Sequence, residues 1–232
     1  MNYTLTQSNA FPLVEVTLAN GEEIQIERGC MVYHSGGISL EGKMNSGKGG
    51  GGLGGFVRAA ARSMVSKESM FITRAKALSD GAKIALAPSA PGAIRELQLG
   101  QQQWRINDGA FLACDAGVSY EMKRQSAGKA LFGGTGGFFI METTGTGSML
   151  INSYGDILEI QMDGSAPLTV DNTHVVAWTT TLNYEIKVAS GIFGFTTGEG
   201  LVNEFNGRGT LFIQTRNIQS LAGLIQPFVG KS

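Results

Sequence analysis

Charge is scarce in this sequence. Asp, Glu, Lys and Arg make up 16% of 232 residues, against about 25% in ordinary soluble domains. The net charge is −1, and no basic block is present to contact phosphates, so nucleic acid is not an expected partner. Cysteine is nearly absent as well. Cys30 and Cys114 stand far apart, which excludes a disulfide framework and points to a reducing compartment, with the cytoplasm as the expected location. No apolar run approaches the length of about 18 residues that a membrane-spanning helix needs. The opening stretch, MNYTLTQSNAFPLVEV, has no basic start followed by an apolar run, so no secretory signal is expected.

Glycine is what the sequence has in excess: 34 residues, about twice the usual share. Together with many Thr, Val, Ile and Phe it suggests short strands joined by tight turns. Disorder is the competing reading of a glycine-rich chain. The 42% hydrophobic content and the regular alternation argue against it outside the run Gly49 to Gly52. A folded chain with so few charges is expected to bury part of its surface in an oligomer.

Three segments align without a gap. They are IERGCMVYHSGGISLE (Ile26 to Glu41), INDGAFLACDAGVSYE (Ile106 to Glu121) and VDNTHVVAWTTTLNYE (Val170 to Glu185). Each opens on an aliphatic residue, passes a polar turn, continues with paired apolar residues and closes in the period-2 pattern of a half-buried strand. A second block, SMFIT (Ser69 to Thr73), SMLIN (Ser148 to Asn152) and TLFIQ (Thr210 to Gln214), recurs at matching intervals. The extra length of the first interval is placed at SDGAKIALAPSAPGAI, a Pro/Gly-rich connection. The expectation is an all-β chain of three tandem β-sandwich modules, 1–80, 81–156 and 157–232, packed as one unit because each is too small to stand comfortably alone.

Gly42 to Lys48 fits most of the phosphate-loop pattern. Gly49 stands where that loop needs a Ser or Thr for Mg²⁺, and four consecutive glycines cannot start the helix that must follow. Glycine-rich segments of similar length recur between the two blocks in all three modules: SGKGGGGLGGFV, AGKALFGGTGGFF and SGIFGFTTGEGLV. They read as one structural connection used three times.

Three strings carry a resemblance: GCMVYHSGGISLEG near the start, GTGSMLINSYGDI in the middle, and VDNTHVVAW with GEGLVNEFNGRGTLFIQTRN near the end. The chain resembles the bacterial and mitochondrial family named after the altered-inheritance-of-mitochondria protein twenty-four, over roughly Leu13 to Asn217. The resemblance implies repeated short β-sandwich units of the double-stranded β-helix type, like those of the tryptophan-RNA-binding attenuation protein. It implies assembly into a ring, with three chains giving nine units. The family has no established catalytic activity, and its mitochondrial member is associated with inner-membrane organisation. No ligand residue follows from it, and the tryptophan and RNA binding of the more distant fold relative does not transfer.

The residues offer little chemistry of their own. Cys30, His34, Cys114 and His174 do not form metal-ligand pairs, and they occupy repeat columns in different modules. Glu41, Glu121 and Glu185 share one column. Paired carboxylates can do acid–base work, but surface strand ends or ion pairs to a neighbouring module are the expected roles. No nucleophile elbow or dinucleotide fingerprint is present. No catalytic, metal or cofactor residue is therefore assigned. Two stretches have helical periodicity. FVRAAARSMV (Phe56 to Val65) is basic and amphipathic, and suits either packing or a weak contact with anionic membrane or a partner protein. NIQSLAGLIQPF groups Ile218, Leu221, Ala222 and Ile225, with Asn217 as N-cap and Pro227 as a stop. The expected function is a non-enzymatic homo-oligomeric scaffold or binding module, most simply a trimer. The alternatives are a ring or enzyme that uses pockets between modules, and a membrane-associated organiser.

Overall fold

A computed structural model of the chain describes residues 1–6, 8, 10–44, 71–107, 109–124, 139–189 and 200–229. The alternating segments fold as strands, and the strand pairs are antiparallel. The first module contains β1 (Asn2–Leu5), β2 (Val14–Leu18), β3 (Glu23–Glu27), β4 (Met31–His34), β5 (Ile38–Met44), β6 (Phe71–Ala77) and β7 (Ala82–Leu86). The second contains β8 (Ile94–Leu99), β9 (Trp104–Asn107), β10 (Phe111–Asp115), β11 (Val118–Arg124), β12 (Phe139–Gly145) and β13 (Gly147–Asn152). The third contains β14 (Ile157–Asp163), β15 (Leu168–Asp171), β16 (Val175–Thr179), β17 (Asn183–Val188), β18 (Leu201–Asn206) and β19 (Arg208–Gln214), followed by helix α1 (Ile218–Ile225). Among the described residues no helix is long and apolar enough to cross a membrane.

The modules are sandwiches that share sheets. The four sheets have the orders β1-β2-β7-β4, β5-β6-β3-β10-β13-β8, β11-β12-β9-β16-β19-β14 and β15-β18-β17. Each six-stranded sheet is half one module and half the next, joined where β3 meets β10 and where β9 meets β16. Three apolar cores separate the four layers. The first holds Val14, Ile24 and Ile84 with Leu112 and Ala113 of the second module. The second holds Trp104, Ile106 and Met141 with Val176 and Ala177 of the third. The third holds Trp178, Phe205 and Leu211. Strands β10 and β16 are buried or nearly so along their whole length because they meet a core on each face, whereas β2 alternates buried and half-buried.

The repeat is closer in space than in residue type. Strands β4, β10 and β16 each carry a register irregularity at the same place, between Met31 and Tyr33, Phe111 and Ala113, and Val175 and Ala177. Such a conserved bulge sets the bend of each strand.

Two expectations are corrected. The first-module counterpart of SMLIN and TLFIQ is not SMFIT but Ala82–Leu86: Leu86 pairs with Met31 as Ile151 pairs with Phe111 and Ile213 with Val175. The first module therefore runs through Leu86, beyond the boundary at 80. The extra length also moves. The three glycine-rich segments do join the same pair of strands in each module. The first connection spans 45–70, about twice the length of 125–138 or 189–200, so the segments are not of similar length. The connection between the first two modules is tight at one point: a Cβ on Gly92 would lie 1.9 Å from the Ser153 carbonyl oxygen, so that position takes only glycine.

Candidate functional site: two open sheet edges

The chemistry-bearing residues lie apart. Cys30 and Cys114 are free and buried, in the first and second cores. Burial, followed by the charge of Glu27, pushes the Cys30 thiol up to about 12. Burial and then Asp115 push Cys114 up to about 12. Neither is a thiolate at neutral pH, so neither is an activated nucleophile. His34 ends β4, and His174 sits in a 3-10 turn, where its Nδ1 lies 2.7 Å from the Gln214 carbonyl oxygen and its Nε2 lies 2.9 Å from Asn217 Nδ2. Among the described residues, no three His, Cys, Asp or Glu side chains are arranged to hold a metal ion.

Glu41, Glu121 and Glu185 lie within the edge strands β5, β11 and β17 rather than at strand ends. Glu185 pairs with Lys187 of its own strand at 3.3 Å. The stronger ion pairs belong to the adjacent strand, where Glu142 binds Arg105 and Lys123, and Glu204 binds Lys187. Gly42 lies inside β5, opposite Thr73, where a phosphate loop would need to have left its strand. Residues 45–48 of that pattern, and the basic stretch Phe56 to Val65, lie outside the described residues.

A cavity of about 320 Å³ opens beside α1, lined by Asn107, Asn152, Thr173, Gln214 and Ile218 among others. Three of its side-chain amides donate to backbone carbonyls: Asn107 to Val175, Asn152 to Phe111 and Gln214 to Thr173. They hold strand ends in place rather than facing a ligand.

The distinctive surface is a pair of strands, β4 and β15, each paired on one side only. In the first seam Ala113 lies opposite Ile26, Cys114 opposite Gln25 and Asp115 opposite Ile24. In the second Ala177 lies opposite Ile106, Trp178 opposite Arg105 and Thr179 opposite Trp104. The repeat makes β4 the counterpart of β10 and β16, and β15 the counterpart of β3 and β9. Yet β4 and β15 end their sheets. The difference shows in exposure. Val32 is 54% exposed and Tyr33 44%, while their counterparts Leu112, Val176, Ala113 and Ala177 are all at 1% or less. The third core is correspondingly unfinished. Ile160, Met162, Leu168, Val170 and Ile213 are only partly buried around it, where the first and second cores receive residues from the next module. One side-chain bond recurs at both seams: Gln25 Nε2 donates to the Val118 carbonyl at 3.1 Å, and Arg105 Nη1 to that of Leu182 at 3.0 Å.

The sequence alignment contained this surface, since MVYH, FLAC and VVAW stand in one column. It did not show which of the three strands lacks a neighbour.

A family model described as Mitochondrial biogenesis AIM24 matches residues 3–216. The chain belongs to that family. It is 48% identical to an uncharacterised protein of Streptococcus pyogenes serotype M6, over all of this chain and 92% of that one. It also resembles the X-ray crystal structure of a Streptococcus pyogenes protein, with a TM-score of 0.82 and 44% identity, covering 98% of this chain and 99% of that one.

Proposed function

We propose that this protein is a non-enzymatic scaffold that assembles with copies of itself, head to tail, by pairing β15 of one copy with β4 of the next. The observation that carries this reading is the pair of open edges, β4 and β15. Two of the three module junctions are made within the chain, and the strands for a third stand open at its two ends. Copying the register of the inner seams places Tyr33 opposite Val170, His34 opposite Thr169 and Ser35 opposite Leu168. Val32 and Tyr33 then enter the third core, as Leu112 and Ala113 enter the first and Val176 and Ala177 the second. Open edges invite pairing, and a head-to-tail contact that closes on itself leaves neither β4 nor β15 open. Three copies, giving nine modules in a ring, are the assembly the family resemblance implies. The low charge content and the buried, free thiols fit a protein that works as an assembly in a reducing compartment.

Multi-angle light scattering tests the reading. The wild type is expected at three times the chain mass of 24.5 kDa. Val32→Glu places a charge on the open edge, at a position exposed in the single chain, and is expected to give a folded monomer with unchanged circular dichroism. A wild type that is monomeric at micromolar concentration defeats the proposal.

A further inference from the structure

The connections between modules follow one path. The Gly92 amide donates to the Ala10 carbonyl, and the Gly155 amide to the Pro91 carbonyl. After the last module the Arg216 amide donates to the Tyr154 carbonyl in the same way. Gly92 and Gly155 each lead within two residues into the first strand of a following module, at Ile94 and Ile157. Among the described residues no strand follows Arg216. At that point Asn217 caps α1, its side chain accepting from the Ser220 amide at 2.7 Å, and the backbone turns aside into the helix.

No residue of this helix is fully buried in its own chain. Ile218 is 53% exposed, Leu224 71% and Phe228 88%, and no charged residue occurs from Asn217 to Val229. An uncharged, contiguous apolar surface of this kind marks a contact. In a head-to-tail assembly the next copy's Phe11 to Leu13, the counterpart of Gly92 to Ile94 and Gly155 to Ile157, arrives where Arg216 leads. Phe11 is itself 72% exposed.

We infer that α1 is a clasp: its apolar face covers the Phe11 segment of the next copy and takes over, between chains, the task that the covalent connections perform within one. The inference rests on the head-to-tail reading and adds to it the segment each copy contributes. Burial of an aromatic and several aliphatic side chains makes the clasp strong enough to matter for assembly. Its effect is greatest where the edge strands already hold the copies together.

The test mixes two single variants, Phe11→Cys and Ile218→Cys, under mild oxidation. Cys30 and Cys114 are buried and stay out of the reaction. A disulfide-linked heterodimer on a non-reducing gel is expected, and none when Leu78→Cys, also on an exposed residue, replaces Phe11→Cys. In parallel, Leu224→Ser with Phe228→Ser is expected to raise the dissociation constant of the assembly about tenfold or more with no change in the circular dichroism of the chain. An intact assembly without the heterodimer overturns the clasp and leaves the edge pairing standing. A monomer without the heterodimer overturns both.

Discussion

Tyr33 differs from its counterparts Ala113 and Ala177 in reaching across its sheet: its hydroxyl donates to Glu15, two strands away. Glu15 also binds Lys83 Nζ at 2.6 Å. Lys83 first, then the Tyr33 hydroxyl, holds the Glu15 carboxyl below its ordinary value of 4.5. A lowered carboxylate adds stability that is fully present above the unfolded value and is lost as pH falls through the folded one. Acid therefore loosens the tie between β4 and β2 below pH 4.5. The wild type is expected to have a higher urea midpoint than Glu15→Gln at neutral pH, and the gap is expected to close as pH falls below that value. A gap that stays constant across the range removes this role from Glu15. The sequence could not show the cluster, because Glu15, Tyr33 and Lys83 lie on three strands that only the sheet brings together. The columns of Cys30 with His174 and of His34 with Cys114 were legible, because a repeat alignment assigns equivalent places, and places in different modules are apart.

Among the strands, β4 and β15 carry the function proposed here, and their backbone reports on it directly. Hydrogen exchange is expected to be slow at His34 and at Thr169, the alternate amides that face the open edges, at high protein concentration. It is expected to speed up at both places on dilution and in Val32→Glu, with the inner seam at Ala113 to Asp115 unaffected. Fast exchange at the outer edges at every concentration would mean that they stay unpaired. Three of the elements show what the sequence could reveal and where it misled. The alternation of ISLE, VSYE and LNYE at the close of the three segments is legible as β5, β11 and β17, since a half-buried strand writes its two faces into successive residues. SMFIT matches SMLIN in residue type and in interval, and both mislead. The place of SMLIN is taken by a strand that is apolar on both faces, and AKIAL fills it with small alanines, so that β7 is buried at four of its five positions. Helix α1 was legible in its cap and its stop, because Asn217 and Pro227 act locally. That its apolar face is left largely exposed in its own chain is a tertiary fact with no local signature.

For the whole molecule, stability and assembly are linked through the third core. The first and second cores are each closed by residues of a following module, and in the proposed assembly the third is closed by Val32 and Tyr33 of another copy. The assembled form therefore binds its neighbour through the very region that is weakest in the single chain, and dilution should destabilise that region first. The two tryptophans separate the cores: Trp104 lies in the second and Trp178 in the third, against Tyr184 and Phe205. In a Trp104→Phe background the emission reports Trp178 alone. Its shift to longer wavelength is expected at a lower urea concentration when the protein is dilute than when it is concentrated. Adding Val32→Glu should fix the transition at the lower value whatever the concentration. Wild-type Trp104, read in a Trp178→Phe background, should depend less on concentration, because its core is closed within the chain. If the Trp178 transition falls at one urea concentration throughout the dilution series, the third core is complete in the single chain, and the open edges are not where copies meet.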